Sequence, residues 1–164
     1  MHVGVIIYGS LDTLTGGYIY DKLLVQHLRQ QGHHVKIISL PWRHYGLHLL
    51  DNFSTQLYSN LLKAPYDLLL QDELNHPSLF RLNRKLRKKA EYPIVTIVHQ
   101  VLCSQPRGRV QNAVYQEIEK RYLKSVDAFI FNSWSRSSVS FGKACRLISC
   151  HTSQLLKHSP HPHL

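Results

Sequence analysis

Two glycines and a histidine are the residues whose types and spacing point most directly to chemistry. Gly16 and Gly17 end a loop that follows the apolar run 2–8, and they begin an amphipathic stretch. Backbone N–H groups at a helix start have no partner within the helix, so they can meet an anion. His99 follows the apolar run 94–98, where an imidazole could transfer a proton or stabilise charge. The simpler alternatives are a glycine turn without a ligand and a histidine that completes a strand end.

Polar residues follow two further apolar runs. Asp72 and Glu73 end the run 66–72, and Asn132 and Ser133 follow the run 126–131. If these runs are parallel strands, their carboxyl ends meet at one edge of a sheet, where ligands of such sheets bind. We therefore expect a cleft lined by these four residues and by Tyr18. Asp72 and Glu73 could act as acid and base on an acceptor, or they could be a solvated pair that starts a loop.

The elements that must position these residues alternate along the chain. Continuous apolar strands are predicted at 2–8, 34–39, 66–72, 94–98 and 126–131, with helices at 17–31, 51–62, 77–89 and 110–124. Gly32 stands where a left-handed helix cap is expected. This order predicts an α/β fold, a three-layer Rossmann-like parallel sheet covered on both faces. The residues expected to face the core are Ile19, Leu23, Leu24, His27 and Leu28, then Phe53, Leu57, Leu61 and Leu62, then Val114, Ile118 and Leu123.

The pattern changes near residue 140. We expect one domain over 1–139 and an irregular, basic tail over 140–164 that contains no acidic residue. A shifted reading frame or a degraded gene end would have this composition. Cys145, Cys150 and His151 lack the paired knuckles of a structural zinc site, so no metal site is predicted.

Bulk properties indicate a folded protein in a reducing compartment. The 164 residues are 43% hydrophobic, and no apolar run reaches membrane-spanning length. No basic leader with a cleavage site opens the chain, so a signal peptide is not expected. The odd number of cysteines, 3, fits reduced thiols better than a disulfide framework. Cytoplasmic location is therefore the expectation.

The positive charge is concentrated in the second half. Residues 1–80 hold 5 Lys/Arg against 6 Asp/Glu, whereas residues 81–164 hold 15 against 4. The run 81–89 has six basic residues in nine, including Arg81, Arg84, Lys85 and Lys88. A solvated helix face is the simplest interpretation. The functional alternative is contact with an anionic membrane surface, and nucleic acid ranks lower because no aromatic platform accompanies the charge.

Several of these residues together carry a resemblance to a known family. The glycine pair 16–17, Val98-His99, the run 125–133 and the segment 71–77 (Gln-Asp-Glu-Leu-Asn-His-Pro) resemble the N-terminal domain of family 4 glycosyltransferases of GT-B architecture. The resemblance covers roughly residues 1–139 as a pattern of order and spacing. It implies retaining transfer of a sugar from a nucleotide-sugar donor to an acceptor, with no tightly bound metal or cofactor.

The resemblance also implies residue roles and a missing part. Gly16 and Gly17 would approach the donor diphosphate, and His99 would lie beside the transferred sugar as the catalytic residue. Such enzymes hold the nucleotide with a second, C-terminal domain, and nothing after residue 140 resembles one, so the chain alone is expected to be inactive. A partner carrying that domain, or self-association, would fit the exposed cleft wall.

Two other classes stay open. The chain could be a non-catalytic module that binds an acceptor or a membrane, or one half of a split enzyme. A nicotinamide or flavin binder ranks last, because the glycines lack the G-x-G-x-x-G spacing and Ser39 and Leu40 stand where an acidic ribose ligand would be.

Overall fold

The computed structural model describes residues 1–13, 15–99, 109–131 and 146–149. Five parallel strands form the body of one sheet: β1 (His2–Tyr8), β2 (His34–Leu40), β3 (Leu68–Asp72), β4 (Ile94–Val98) and β5 (Ala128–Phe131). A short strand, β6 (Arg146–Ser149), pairs in parallel with β5 at one edge, which gives the order β2-β1-β3-β4-β5-β6. The predicted α/β fold with a Rossmann-like parallel sheet is therefore confirmed. Residues 146–149 form a strand where an irregular tail was expected.

Helices cover both faces of the sheet. They are α1 (Gly16–Gln30), α2 (Tyr45–Asp51), α3 (Thr55–Lys63), α4 (His76–Leu86) and α5 (Arg109–Leu123), and a single 3-10 turn, Glu73–Asn75, precedes α4. The odd residues Val3, Val5 and Ile7 of β1 pack with Tyr18 and Val25 of α1. The alternate residues of β1 face the opposite core, which α3, α4 and α5 complete through Leu61, Leu82 and Tyr122. Side chains of a strand alternate between faces, so each buried strand contributes to both cores.

Glycine is required at two backbone positions that frame α1. Gly9, after β1, has a φ of 61°, and Gly32, after α1, has a φ of 80°. Both angles lie in the left-handed region that side chains disfavour. The cap predicted at Gly32 is confirmed, and it turns the chain directly into β2.

The single helix predicted over 51–62 is wrong. A separate helix, α2, ends at Asp51, where the predicted helix was expected to begin. The helix in this region, α3, begins only at Thr55, because Ser54 caps it through an oxygen that accepts from Leu57 N at 3.2 Å. The break turns Phe53 outward, with 58% of it exposed, although it was expected in the core.

The inward faces predicted for two other helices need correction. In α1 the buried residues are Tyr18, Asp21 and Val25, whereas Ile19 and Leu23 are about half exposed. In α5, Ile118 is buried as predicted but Val114 is exposed. Leu24 and Leu28 of α1 and Leu123 of α5 do pack against the cores as predicted, so each predicted face is wrong only in part. The sheet, and not the apolar stripe alone, sets which residues are covered.

No helix among the described residues is long and apolar enough to cross a bilayer.

Candidate functional site

The glycine pair forms the first turn of α1 at the carboxyl edge of the sheet. Thr15 caps this helix, its side-chain oxygen accepting from Tyr18 N at 3.4 Å. No acidic residue lies in the first turn of the helix, so the partial positive charge of its N-terminus is not neutralised there by a carboxylate. A Cβ added at Gly17 would lie 3.2 Å from Cδ2 of His99, whereas one added at Gly16 would meet open space. Gly17 is therefore the glycine that permits close approach of the two segments.

His99 is held from the other side by a buried carboxylate. Its Nε2 lies 3.0 Å from Oδ1 of Asp21, which is fully buried, one turn after Gly17 on α1. The ring of Tyr20 meets the imidazole edge-on, with ring centroids 5.5 Å apart. About 12% of the His99 side chain is exposed, so the imidazole is the member of this pair that reaches the surface. The helix that presents the glycines also fixes the histidine.

Asp72, the last residue of β3, completes a cluster with Asp21 and His99. One side-chain atom of each residue lies within 4.8 Å of the other two. Oδ1 of Asp72 accepts a hydrogen bond from Leu74 N at 3.0 Å, and Asp72 is 1% exposed. Within the described part of the chain, Oδ2 of Asp21 and Oδ2 of Asp72 are buried without a hydrogen-bond partner. Two adjacent buried carboxyl groups are costly to ionise together.

The electrostatics of the cluster favour protonation. Burial, and then the nearby charge of Asp21, raises the pKa of Asp72 to about 7. Burial acts to lower the pKa of His99, but the hydrogen bond and charge of Asp21, with the charge of Asp72, outweigh it and leave that pKa above its ordinary value. The cluster thus favours the charged form of the imidazole at the rim, and the carboxyl group of Asp72 titrates near neutral pH.

This arrangement can supply charge and a proton at the cleft surface. A protonated His99 that is backed by Asp21 could donate a hydrogen bond to an oxygen of a bound ligand. The two carboxylates and the imidazole could also serve as ligands of a small cation, judged by spacing alone. Burial of both carboxylates places that position behind the surface.

Three residues expected to line the cleft are buried. Tyr18 is 2% exposed and donates from its hydroxyl to the carbonyl oxygen of Tyr8 at 2.7 Å, so it is a core residue. Asp72 lies behind His99, and Glu73 is 5% exposed at the start of the 3-10 turn. The interpretation of Asp72 and Glu73 as a solvated pair is wrong, because the turn after β3 folds them under the adjacent elements. Asn132 and Ser133 lie outside the described residues.

The four basic residues predicted to meet an anionic surface are all exposed, three on α4 and Lys88 just after it. Arg81, Arg84, Lys85 and Lys88 alternate with the buried Leu82, Asn83 and Leu86 along and just beyond this helix. The periodicity of the sequence was enough to predict which residues of this helix are exposed, since the apolar positions fix which side faces the sheet.

Asp21 is the main residue that sequence reasoning missed. It lies three residues after Tyr18 and four before Val25, the spacing of one helix face. That spacing was visible in the sequence, but the apolar neighbours Ile19 and Leu23 suggested the opposite face. A carboxylate on a buried helix face is a signal of a polar partner across the interface.

A second buried polar group lies between β3 and α4. The amides of Gln71 and Asn83 exchange two hydrogen bonds, of 3.0 and 2.9 Å, and both residues are fully buried. Tyr122 donates to Thr96 at 2.9 Å, and Thr96 donates to the carbonyl oxygen of Gln71. The polar atoms of these side chains form hydrogen bonds with one another, and the side chains are more deeply buried than His99. We therefore interpret them as structural.

No family model matches this chain, and no curated protein matches it.

Proposed function

We propose that this domain takes part in transfer of a sugar from a nucleotide-sugar donor to an acceptor, as the acceptor-side wall of a transferase cleft. The observation that carries the proposal is the contact of Gly17 with His99 at the carboxyl edge of a parallel sheet. It places a helix start that has no acidic residue in its first turn beside an imidazole of raised pKa. Both features suit a ligand with a diphosphate leaving group.

Each residue then has a definite role in the proposal. The N–H groups of Gly16 and Gly17 would stabilise negative charge on the departing diphosphate. His99 would donate a hydrogen bond to an oxygen of the transferred sugar, and Asp21 would hold the imidazole in place and in its charged form. Asp72 would regulate the charge of the pair from behind, without contacting the ligand.

The donor nucleotide would require a second wall. In the GT-B architecture that the sequence resembles, a facing domain holds the nucleotide, and the nucleotide-sugar is a substrate with no resident cofactor. We propose that such a domain, in the same protein or in a partner, is needed for turnover, and that transfer takes place in the cytoplasm at the inner face of the membrane. The exposed basic side of α4 supports the membrane location.

The test is an NMR titration of the ¹⁵N-labelled chain with UDP-glucose, GDP-mannose and, for comparison, NAD⁺. We expect a nucleotide-sugar to shift the amides of Gly16, Gly17 and His99, and His99→Asn to weaken that response. Absence of any shift at these three amides with either nucleotide-sugar would refute the site. A response to NAD⁺ alone would instead support a dinucleotide-binding role.

The second candidate is a binding module that holds an acceptor without catalysis. The observation that favours it is that the described residues form a single sheet, so they do not include a facing domain that could hold the nucleotide. A transfer and donor-hydrolysis assay of the chain, with and without the product of the downstream gene, separates the two. Turnover in either arm supports the transferase, whereas acceptor binding without turnover in both supports the module.

A further inference from the structure

Helix α2 is packed with its polar side inward and its apolar side outward. His48 and Asn52 are 5% and 2% exposed, whereas Leu47 and Leu50, on the other side, are 48% and 60% exposed. The amide of Asn52 fixes this orientation, because Nδ2 donates to the carbonyl oxygen of Pro77 at 2.6 Å and Oδ1 accepts from Arg81 N at 2.8 Å. The exposed leucines are thus a consequence of specific buried hydrogen bonds, and they do not contribute to the core.

Two further exposed apolar residues stand just before and just after α2 in the sequence, and these two with the leucines are called the apolar patch. Trp42 and Phe53 flank α2 and are 65% and 58% exposed. Eight large hydrophobic residues are exposed in the described part of the chain, and four of them fall within residues 42–53. Single exposed apolar residues are common on protein surfaces, but a cluster of this kind marks a contact surface.

Basic side chains border the patch directly. The guanidinium of Arg81 lies 4.8 Å from the centre of the Phe53 ring. A hollow of about 290 Å³ between the start of α3 and the outer side of α4 is lined by Phe53 together with Lys85, Lys88 and Lys89. Asp51, the last residue of α2, has a side chain that is 12% exposed and is bound to Arg43 and Ser78, so it offsets little of this charge.

We propose that the apolar patch of Trp42, Leu47, Leu50 and Phe53 docks on a bilayer rich in anionic phospholipid, together with Arg81 and the three lysines 85, 88 and 89 of α4 and the residues just after it. The apolar side chains would enter the boundary between headgroups and acyl chains, and the basic residues would meet the phosphates. A bilayer surface offers both chemistries at this spacing. Nucleic acid offers the charge but no counterpart for Leu47 and Leu50, which cannot stack on bases.

This inference develops the membrane location proposed above and is independent of sugar transfer. The patch lies on the same side of the sheet as α4, whereas Gly17 and Asp21 belong to α1 on the other side. Vesicle binding requires no nucleotide-sugar. If the chain binds vesicles but shows no amide shifts at Gly17 and His99, the membrane proposal stands and the transferase site is refuted. If the amides shift but the chain does not bind vesicles, the transferase site stands and the membrane proposal is refuted.

The first experiment measures partition of the full chain onto phosphatidylcholine vesicles with and without phosphatidylglycerol. We expect binding only when phosphatidylglycerol is present, and release at high salt because the attraction is screened. Leu50→Gln should lower the partition coefficient about tenfold, in line with loss of one buried leucine. Leu23→Gln is the matched control, since Leu23 is similarly exposed, at 52%, but on α1.

The second experiment separates the charge contribution from the apolar one. Lys85→Gln and Lys88→Gln should each weaken binding about fivefold at low salt, whereas Lys36→Gln on the edge strand β2 should not. In a Trp134→Phe background, the fluorescence of Trp42 should shift to the blue on binding. Equal partition of the Leu50→Gln and Leu23→Gln variants, or unshifted Trp42 emission on bound vesicles, would overturn the proposal, as would absence of binding to anionic vesicles.

Discussion

Nε2 of His99 and Oδ1 of Asp21 lie 3.0 Å apart, although 78 positions separate the two residues in the sequence. One belongs to α1 and the other follows β4, so the contact joins the helix on one face to the carboxyl edge of the sheet. The buried carboxylate stabilises the charged imidazole and restricts its orientation. The chemistry available at this edge depends on that pair.

Asp21→Asn should lower the pKa of His99, because the charge that favours the imidazolium is removed while the shape is kept. The measurement is a pH titration of the His99 ring protons by NMR. Asp12→Asn is the control, since Asp12 is an exposed partner of Lys22. An unchanged His99 titration in the Asp21→Asn variant would contradict the pairing.

Gly17→Ala and Gly16→Ala form a matched pair at the start of α1. The new methyl group at position 17 would lie 3.2 Å from the His99 ring, so the imidazole must shift, whereas position 16 is open. We expect Gly16→Ala to be neutral or to stabilise the domain by about 0.4–1 kcal/mol. Gly17→Ala should lack this gain and should move the His99 ring resonances. Similar His99 spectra in both variants would show that the His99 ring leaves room for a methyl group at position 17, which contradicts the close approach of the two residues.

Stability should fall as the pH rises through the range in which the cluster loses protons. The pKa of Asp72 is raised from 3.8 to about 7, so the folded state binds this proton more tightly than the unfolded state does. The stabilisation is complete below the unfolded value and is lost as the pH rises towards 7. The slope has a limit of about 1.4 kcal/mol per pH unit for one proton. His99, whose pKa is also raised, changes stability in the same direction.

Asp72→Asn isolates the contribution of this carboxyl group. Urea unfolding at pH 5 and pH 8 should show a smaller decrease in the free energy of unfolding for the variant than for the natural chain. Because the other histidines are present in both chains, their contribution cancels when the pH dependence of the variant is subtracted from that of the natural chain. An identical pH dependence in both would mean that Asp72 is ionised in the folded state throughout.

Asn83→Ala should destabilise the fold by about 1–3 kcal/mol, because it leaves the buried amide of Gln71 without two hydrogen-bond partners. Asn60→Ala, at an exposed position of α3, should change stability by less than about 0.5 kcal/mol. Chemical denaturation measures both. Since Asn83 does not touch the His99 cluster, its variant should keep the His99 titration unchanged, which separates structural from functional effects.

Strand positions could be predicted from the sequence because a strand buried on both faces is apolar at nearly every position. Ile94–Val98 is found as predicted, and His99 follows it at the carboxyl edge. The convergence of Gly17 and His99 follows from the same rule, since parallel strands align their ends. The strand positions and this convergence depend on the order of strands and helices along the chain, and not on how each helix is rotated about its axis.

Helix faces and side-chain partners could not be predicted in the same way. A rotation of about 100° moves a helical residue from core to solvent, and the sheet decides which side is covered. For this reason Ile19 is exposed and Asp21 is buried beside His99.

The sequence alone therefore determined the parallel α/β fold and the edge at which its glycines and histidine gather. Tertiary structure alone decided that a carboxylate stands behind the histidine, that Tyr18 belongs to the core, and that α2 turns its leucines outward. The physical reason is that apolar content is a local property of the chain. Pairing of buried polar groups, in contrast, depends on contacts between distant segments, and the free energy of satisfying them outweighs the local pattern.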